Sequence, residues 1–199
     1  MLDAHGTPPV DLATWKFEVD GLVDHQLQFS LDRVHAAAGG AKSIPTFIAS
    51  RAGHVWTISG PAYRRARLPN LPASSRKRKF ALALAYDNGW TTNVPLEYFL
   101  NEDSLFAFLH DGAPIEPEHG GPVRLIIPQL YAWKSAKWVR GVRFLAEDQA
   151  GFWEEGGYHM RGNPWAGGDG ERFRGGKHPQ ITQMLMPERG QYHPRQRMG

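Results

Sequence analysis

The chain consists largely of short runs of β-strand length, each closed by a turn signal. Trp15, Phe17 and Val19 alternate with charged residues, which is the period of a half-buried strand, and Asp20-Gly21 supplies a turn. Residues 80–86 form an apolar run, and the turn Asp87-Asn88-Gly89 leads into a return strand at residues 90–94. Such a pattern in 199 residues predicts one β-rich α+β domain.

Further elements are predicted on both sides of this hairpin. Leu27, Phe29 and Leu31 continue a strand alternation, but Ser30 could equally cap a short helix that starts there. Pro95 favours a short helix at residues 95–100. Three more strands are expected at residues 105–110, 123–128 and 139–145; the second of them is the most β-branched and is expected to be central, ending at Pro128.

Residues 36–79 show no sustained period of either kind, and no Asp or Glu occurs at residues 34–85. That acid-free stretch carries nine basic residues: Lys42, Arg51, Arg64, Arg65, Arg67, Arg76, Lys77, Arg78 and Lys79. Without these nine, 14 of the 23 basic residues remain, against 20 acidic ones. The segment could be a basic arm for phosphate contacts, or a stretch whose composition folding never shaped.

We predict one domain at residues 1–165 and a poorly ordered tail at residues 166–199, which has few apolar residues. No stretch approaches the roughly 20 apolar residues of a membrane span, and no signal peptide is visible. The chain contains no cysteine, which excludes disulfides, zinc–thiolate sites and a thiolate nucleophile. A soluble, cytoplasmic protein is expected.

Two neighbouring segments have the composition of an anion site. Gly120-Gly121 permits a close backbone approach, and Arg124 begins an apolar strand, where a charge usually needs an anionic partner. The turn Lys134-Ser135-Ala136-Lys137 offers two ammonium groups and a hydroxyl, which suits a phosphate. The alternative is that Arg124 pairs with an internal carboxylate and that both lysines are solvated.

These segments also resemble a known family. The runs at residues 118–128 and 131–139, together with residues 11–23, 87–96, 110–112 and 151–159, resemble the catalytic domain of sulfite oxidase-like molybdopterin proteins. The chain is most similar to the short bacterial branch that stands alone, without a haem domain. The resemblance covers residues 9–32 and 80–165.

The resemblance implies the sulfite oxidase molybdopterin-binding fold and oxygen-atom transfer at molybdenum. It assigns the pterin and its phosphate to five residues: His119, Arg124, Ser135, Ala136 and Lys137. Tyr131 and Trp133 would wall the pocket, or simply pack in the core. A small-molecule substrate and an electron-transfer partner of unknown identity are implied, with no role for nucleic acid or a membrane span.

The metal half of the resemblance is missing. In this family one cysteine, in a motif resembling His-Cys-Val-Thr-Gly-Trp-Ser, ligates molybdenum, and it should lie between the two matching blocks. No cysteine occurs there. We therefore expect the chain with this sequence not to ligate molybdenum through sulfur and to be catalytically defective.

A displaced reading frame would explain the absence. When residues 46–60 are back-translated with free choice of synonymous codons and read from each third base, the permitted products include Leu-His-Cys-Val-Thr-Gly-Trp-Ser-Arg-Leu-Asp-Asn, with tryptophan soon after. The cysteine codon would straddle Ile48 and Ala49. We hypothesise that residues of about 36–79 are a frame-shifted version of a molybdopterin domain, with the frame restored by Phe80.

A non-catalytic binding protein is the alternative, in which the basic residues of the 64–79 segment contact nucleic acid or an acidic partner. The lack of periodic structure to present those charges argues against it. Among the histidines, His110 and His159 are expected to be structural, and His54 lies in the aberrant segment. The adjacent Glu154 and Glu155 are expected to face solvent.

Overall fold

The computed structural model describes residues 5–36, 41–42, 47–48, 55–56, 62–63, 77–110 and 112–163. Three short α-helices and thirteen strands lie in these ranges: β1 Lys16–Gly21, β2 Leu27–Ser30, α1 Leu31–Ala36, β3 Ala41–Lys42, β4 Phe47–Ile48, β5 Val55–Trp56, β6 Ala62–Tyr63, β7 Phe80–Ala85, β8 Thr91–Pro95, α2 Leu96–Phe99, β9 Leu105–Ala107, β10 Leu109–His110, β11 Ala113–Pro114, β12 Arg124–Ile126, β13 Val139–Leu145 and α3 Phe152–Glu155. The predicted β-rich α+β class is confirmed.

A mixed five-stranded sheet organises the domain, in the order β2-β1-β13-β7-β8. β1 runs parallel to β13, and the other neighbours are antiparallel. The alternation predicted for β1 is confirmed, because Trp15, Phe17 and Val19 are all buried in the main core. Phe17 meets Phe106 edge to face at 5.0 Å, which joins this sheet to β9.

The predicted hairpin is confirmed by the antiparallel pairing of β7 with β8. Asn88 and Gly89 both have positive φ, at 44° and 80°, a conformation that asparagine and glycine tolerate best. The predicted short helix is also present as α2, although Pro95 ends β8 and precedes the helix rather than lying in its first turn.

The strand predicted at residues 123–128 is not central, and that prediction was wrong. β12 covers three residues and pairs only with β9, in a two-stranded sheet. Its apolar run reflects burial on both faces, since Leu125 and Ile126 contact different clusters of the core. The central strand is β13, whose sequence Val-Arg-Gly-Val-Arg-Phe-Leu is less uniformly apolar.

The region around Ser30 contains both elements that the sequence allowed, first a strand and then a short helix. β2 ends at Ser30, and α1 begins at Leu31. The backbone N–H of Arg33 donates to Ser30 Oγ at 3.4 Å, as expected of an N-cap. α1 is six residues long, and no helix in the described part of the chain could cross a membrane.

β3 pairs with β6, and β4 with β5, in two small antiparallel sheets. Outside the described residues lie residues 37–40, 43–46, 49–54, 57–61 and 64–76 of the predicted aberrant segment, together with Asp111 and the predicted tail. The predictions made for them therefore stay predictions.

Candidate functional site

A tight turn around Gly120 forms one side of the candidate site. The turn follows a short 3-10 helix, Pro117–His119, and Gly120 has a φ of 101°. Trp138 fastens it, because its backbone N–H donates to the Gly120 carbonyl at 3.0 Å and its Nε1 donates to the Pro117 carbonyl at 2.6 Å. A Cβ at Gly121 would lie 2.0 Å from the Ile115 carbonyl oxygen. This glycine is thus required by the packing of the protein itself.

Gly121→Ala is therefore expected to lower the free energy of unfolding by about 1–3 kcal/mol, because the clash is with backbone that cannot move freely. Urea unfolding measures it. Gly112→Ala is the control: its Cβ would meet nothing within 4 Å, although its φ of 80° retains some strain. An equal or smaller loss for Gly121→Ala would contradict the steric explanation.

Arg124 reaches back from β12 to this turn. Its terminal guanidinium nitrogen donates to the His119 carbonyl at 2.8 Å, while its Nε is buried without a hydrogen-bond partner. No carboxylate within the described ranges pairs with Arg124, so the internal ion pair considered from the sequence is not found there. Burial lowers the pKa of Arg124 to about 10. A buried guanidinium that lacks a carboxylate partner is stabilised when an anion binds to it.

The other predicted ligands adjoin Arg124 on neighbouring backbone. Lys137 donates from Nζ to the Glu118 carbonyl at 3.0 Å and lies 4.7 Å from the centre of the Trp138 ring. Ser135 Oγ accepts the Ile127 N–H at 3.0 Å, and the Ala136 carbonyl accepts the Leu125 N–H at 2.8 Å. These bonds join the turn at residues 135–137 to β12 and to the Gly120 turn.

His119 contributes differently from its backbone and its side chain. Its carbonyl accepts the Arg124 bond, whereas its half-exposed imidazole lies with Nε2 3.9 Å from Glu116 Oε2. The fold thus brings the segments carrying His119, Arg124, Ser135, Ala136 and Lys137 together. The imidazole and the Lys137 ammonium are the more exposed groups, and Ser135 and Ala136 are buried.

Lys134 does not share this face, contrary to the phosphate cradle of two lysines that its sequence position suggested. The residue is fully buried, and its ammonium lies 2.6 Å from Glu154 Oε1. The expectation that Glu154 faces solvent was therefore wrong, whereas Glu155 is exposed as expected. One signal was available: Glu154 follows Gly151 by three residues, and its Oε2 accepts the Gly151 N–H at 3.1 Å as a capping glutamate.

No group of three or more His, Cys, Asp or Glu side chains suited to a metal ion occurs among the residues described. The candidate site is a surface over β12 and two turns that carries Arg124, Lys137 and the His119 imidazole, with Glu116 at its edge. Its chemistry fits a phosphate or another small oxyanion, through the side chains of Arg124 and Lys137.

Comparison with known proteins agrees with the resemblance. The profile of the oxidoreductase molybdopterin binding domain matches residues 62–153. An uncharacterized oxidoreductase, YuiH of Bacillus subtilis (strain 168), is 40% identical over 160 residues, which cover 78% of this chain and 77% of YuiH. A nitrate reductase [NADH] of Solanum lycopersicum is 23% identical over 191 residues, 80% of this chain but only 20% of the plant protein.

The fold has a counterpart among solved structures. The sulfane dehydrogenase SoxCD of Paracoccus pantotrophus superposes with a TM-score of 0.54 at 19% identity, over 71% of this chain and 41% of that one. This likeness concerns the fold alone, and the chain spans about a fifth of the plant reductase. The match to the family profile and the 40% identity to YuiH over 78% of this chain show that the chain belongs to the family of oxidoreductase molybdopterin-binding domains.

Proposed function

We propose that this chain is the cofactor-binding domain of a sulfite oxidase-type molybdenum oxidoreductase, in which Arg124 and Lys137 bind the phosphate of molybdopterin. The observation that carries the proposal is the Arg124 guanidinium, whose buried Nε has no partner. Burial depresses its pKa, and no carboxylate of the described residues relieves the cost. A phosphate dianion would accept a hydrogen bond from the Arg124 Nε and would balance the positive charge of its guanidinium.

The residues present fit only one half of the cofactor. On the phosphate side, Arg124, Lys137 and His119 would hold the anion, and the Ser135–Ala136 backbone would define the edge of the site. When bound, molybdopterin would supply two-electron oxygen-atom transfer at its metal. The metal side does not fit, because the sequence has no cysteine to donate a thiolate.

We propose that the missing cysteine is encoded in a displaced frame within residues of about 36–79. Two observations support this: the segment is acid-free, and one permitted shifted translation of residues 46–60 contains the family's cysteine motif in the expected place. The match to the family profile begins at residue 62, after the positions where this motif would lie. The chain with this sequence would then be catalytically defective, while its intact counterpart would be an active enzyme.

The substrate and the location are further parts of the proposal. The relatives' names describe a nitrate reductase that uses NADH and a sulfane dehydrogenase, so a small inorganic compound is the substrate class that we extend to the intact counterpart. We also propose that the intact counterpart exchanges electrons with a partner and lies in the cytoplasm. A basic-arm function on nucleic acid would depend on residues 64–79, most of which lie outside the described residues.

Arg124→Met tests the phosphate side. It is expected to weaken binding of inorganic phosphate roughly tenfold or more, because a hydrogen bond to a charged group contributes about 1.5–3 kcal/mol. Without phosphate, the free energy of unfolding should be nearly unchanged, since the variant loses the bond to the His119 carbonyl but also removes a partly buried charge whose Nε has no partner. Isothermal titration and urea unfolding measure the two effects.

Arg143→Met is the matched control, because Arg143 is half exposed and pairs with Asp20 on the main sheet. It should leave phosphate binding unchanged. If Arg124→Met retained wild-type phosphate affinity, or lost several kcal/mol of stability without ligand, Arg124 would be a structural residue and the phosphate assignment would fail.

A further inference from the structure

Lys134 has a complete set of partners inside the domain. Its Nζ lies 2.6 Å from Glu154 Oε1, 2.6 Å from Asn93 Oδ1, 3.0 Å from the Asn93 carbonyl and 2.5 Å from the Met160 carbonyl. An ammonium has three donors, and four oxygens already surround them. Lys134 therefore has no donor left for a ligand, although it belongs to the same turn as the proposed phosphate-binding Lys137.

The surroundings of Lys134 suit an ammonium rather than a neutral amine. Burial lowers the pKa of Lys134, and the charges of Glu154 and then Asp148 act against that shift. Glu154 is itself fixed, because Thr92 Oγ1 donates to its Oε1 at 3.2 Å and the Gly151 N–H donates to its Oε2. The pair is thus satisfied on both sides.

These contacts join three distant parts of the chain at one point. Lys134 ends the short 3-10 helix Ala132–Lys134, Asn93 lies in β8, and Glu154 lies in α3. The loop after α3 closes over the lysine, because a Cβ at Gly162 would come within 2.9 Å of the Lys134 stem. The Gly162 carbonyl accepts the Tyr131 N–H at 2.7 Å, at the other end of the same 3-10 turn.

We infer that Lys134 is a positioning residue: the buried Lys134–Glu154 pair fixes the turn at residues 132–137 so that Lys137 faces the anion held by Arg124. The inference rests on the proposed phosphate site. It makes anion binding depend on α3 and the 158–163 loop, none of which contacts Arg124 through the bonds described above. A displacement of the turn by about 1 Å would be enough to weaken binding strongly.

Two variants of the full chain test the inference. Glu154→Gln keeps an oxygen for Lys134 and removes the charge, and Lys134→Met/Glu154→Leu replaces the whole pair with apolar groups. Both are expected to raise the dissociation constant for inorganic phosphate roughly tenfold. Amide hydrogen exchange at Lys134 and Ser135, whose N–H groups bond within the turn, should accelerate about tenfold or more.

Val142→Ala is the control, since it opens the core at β13, where Val142 pairs with Val19 and Ala83 of the main sheet, and so destabilises the fold without altering the Lys134–Glu154 pair. It should lower overall stability and leave the phosphate dissociation constant unchanged. Wild-type phosphate binding in both pair variants, or weakening no greater than in Val142→Ala, would overturn the inference.

The two proposals can fail separately. If the wild-type chain binds no phosphate, the proposed phosphate site fails, and exchange alone decides the role of Lys134. Acceleration confined to residues 132–137 then supports a positioning role for that turn, and uniform acceleration across β13 as well overturns it.

Discussion

Restoring the frame that we propose is displaced across residues of about 36–79 is expected to produce a chain that retains near-stoichiometric molybdenum through purification, while the chain with the present sequence retains almost none. The reason is the donor set. Arg124 and Lys137 are the residues proposed to bind the phosphate, and the restored frame would add a thiolate ligand for molybdenum that the present sequence lacks. Expression in a host that makes molybdopterin, followed by elemental analysis, measures the difference.

A matched control separates the thiolate from the general effect of a repaired fold. In the restored chain, replacing the recovered cysteine with serine should remove the molybdenum-dependent oxidoreductase activity while leaving the fold intact. Circular dichroism and urea unfolding check the fold. Near-stoichiometric molybdenum in the present chain, or none in the restored one, would contradict the assignment of the missing ligand.

Lys134→Met is expected to lower the free energy of unfolding by about 3–5 kcal/mol, the usual cost of leaving a buried charge without its partner. The charge left without its partner is that of Glu154, which is 7% exposed and among the described residues keeps the Thr92 hydroxyl and the Gly151 N–H as hydrogen-bond donors. Urea unfolding at neutral pH measures the loss. The double variant Lys134→Met/Glu154→Leu should lose less than the single one, because no charge remains buried.

The exposed pair of Arg143 with Asp20 provides the comparison. Its two bonds of 2.8 and 2.7 Å are as short as those of Lys134, yet Arg143→Met should cost under about 1 kcal/mol, since solvent screens the pair. If Lys134→Met cost no more than Arg143→Met, the buried pair would not hold α3 and the 132–134 turn together.

The elements that the sequence predicted well have either one buried face, as β1 does, or a clear turn, as the β7–β8 hairpin does although both of its strands are buried on both faces. β1 alternates with period two because the other side of the sheet is not covered to the same extent, and Asp87-Asn88-Gly89 can hardly be anything but a turn. The position of β12 could not be predicted this way. A strand that is buried on both faces has a continuous apolar sequence whether it is the central strand of a large sheet or part of a two-stranded sheet within the core.

The candidate site was predicted through its motif rather than through its chemistry. Arg124 and Lys137 both donate to carbonyls of the Gly120 turn, and their predicted role in binding the cofactor stays a prediction. The burial of Lys134 and the partial exposure of Lys137 could not be predicted, because composition does not tell which of two lysines in one turn points inward. That choice depends on Glu154 and Asn93, which are distant in sequence.

The central claim, that a molybdenum-ligating cysteine lies in a displaced frame, is tested most directly by sequencing the gene across residues 46–60. The claim fixes individual bases: Phe47 must be encoded by TTC to yield histidine, Ile48 by ATT to yield cysteine and Ala52 by GCT to yield tryptophan. We predict those three codons, with a gained or lost base on each side of the segment. An Ile48 codon ending in A or C, which would place serine or arginine there, would contradict the claim outright.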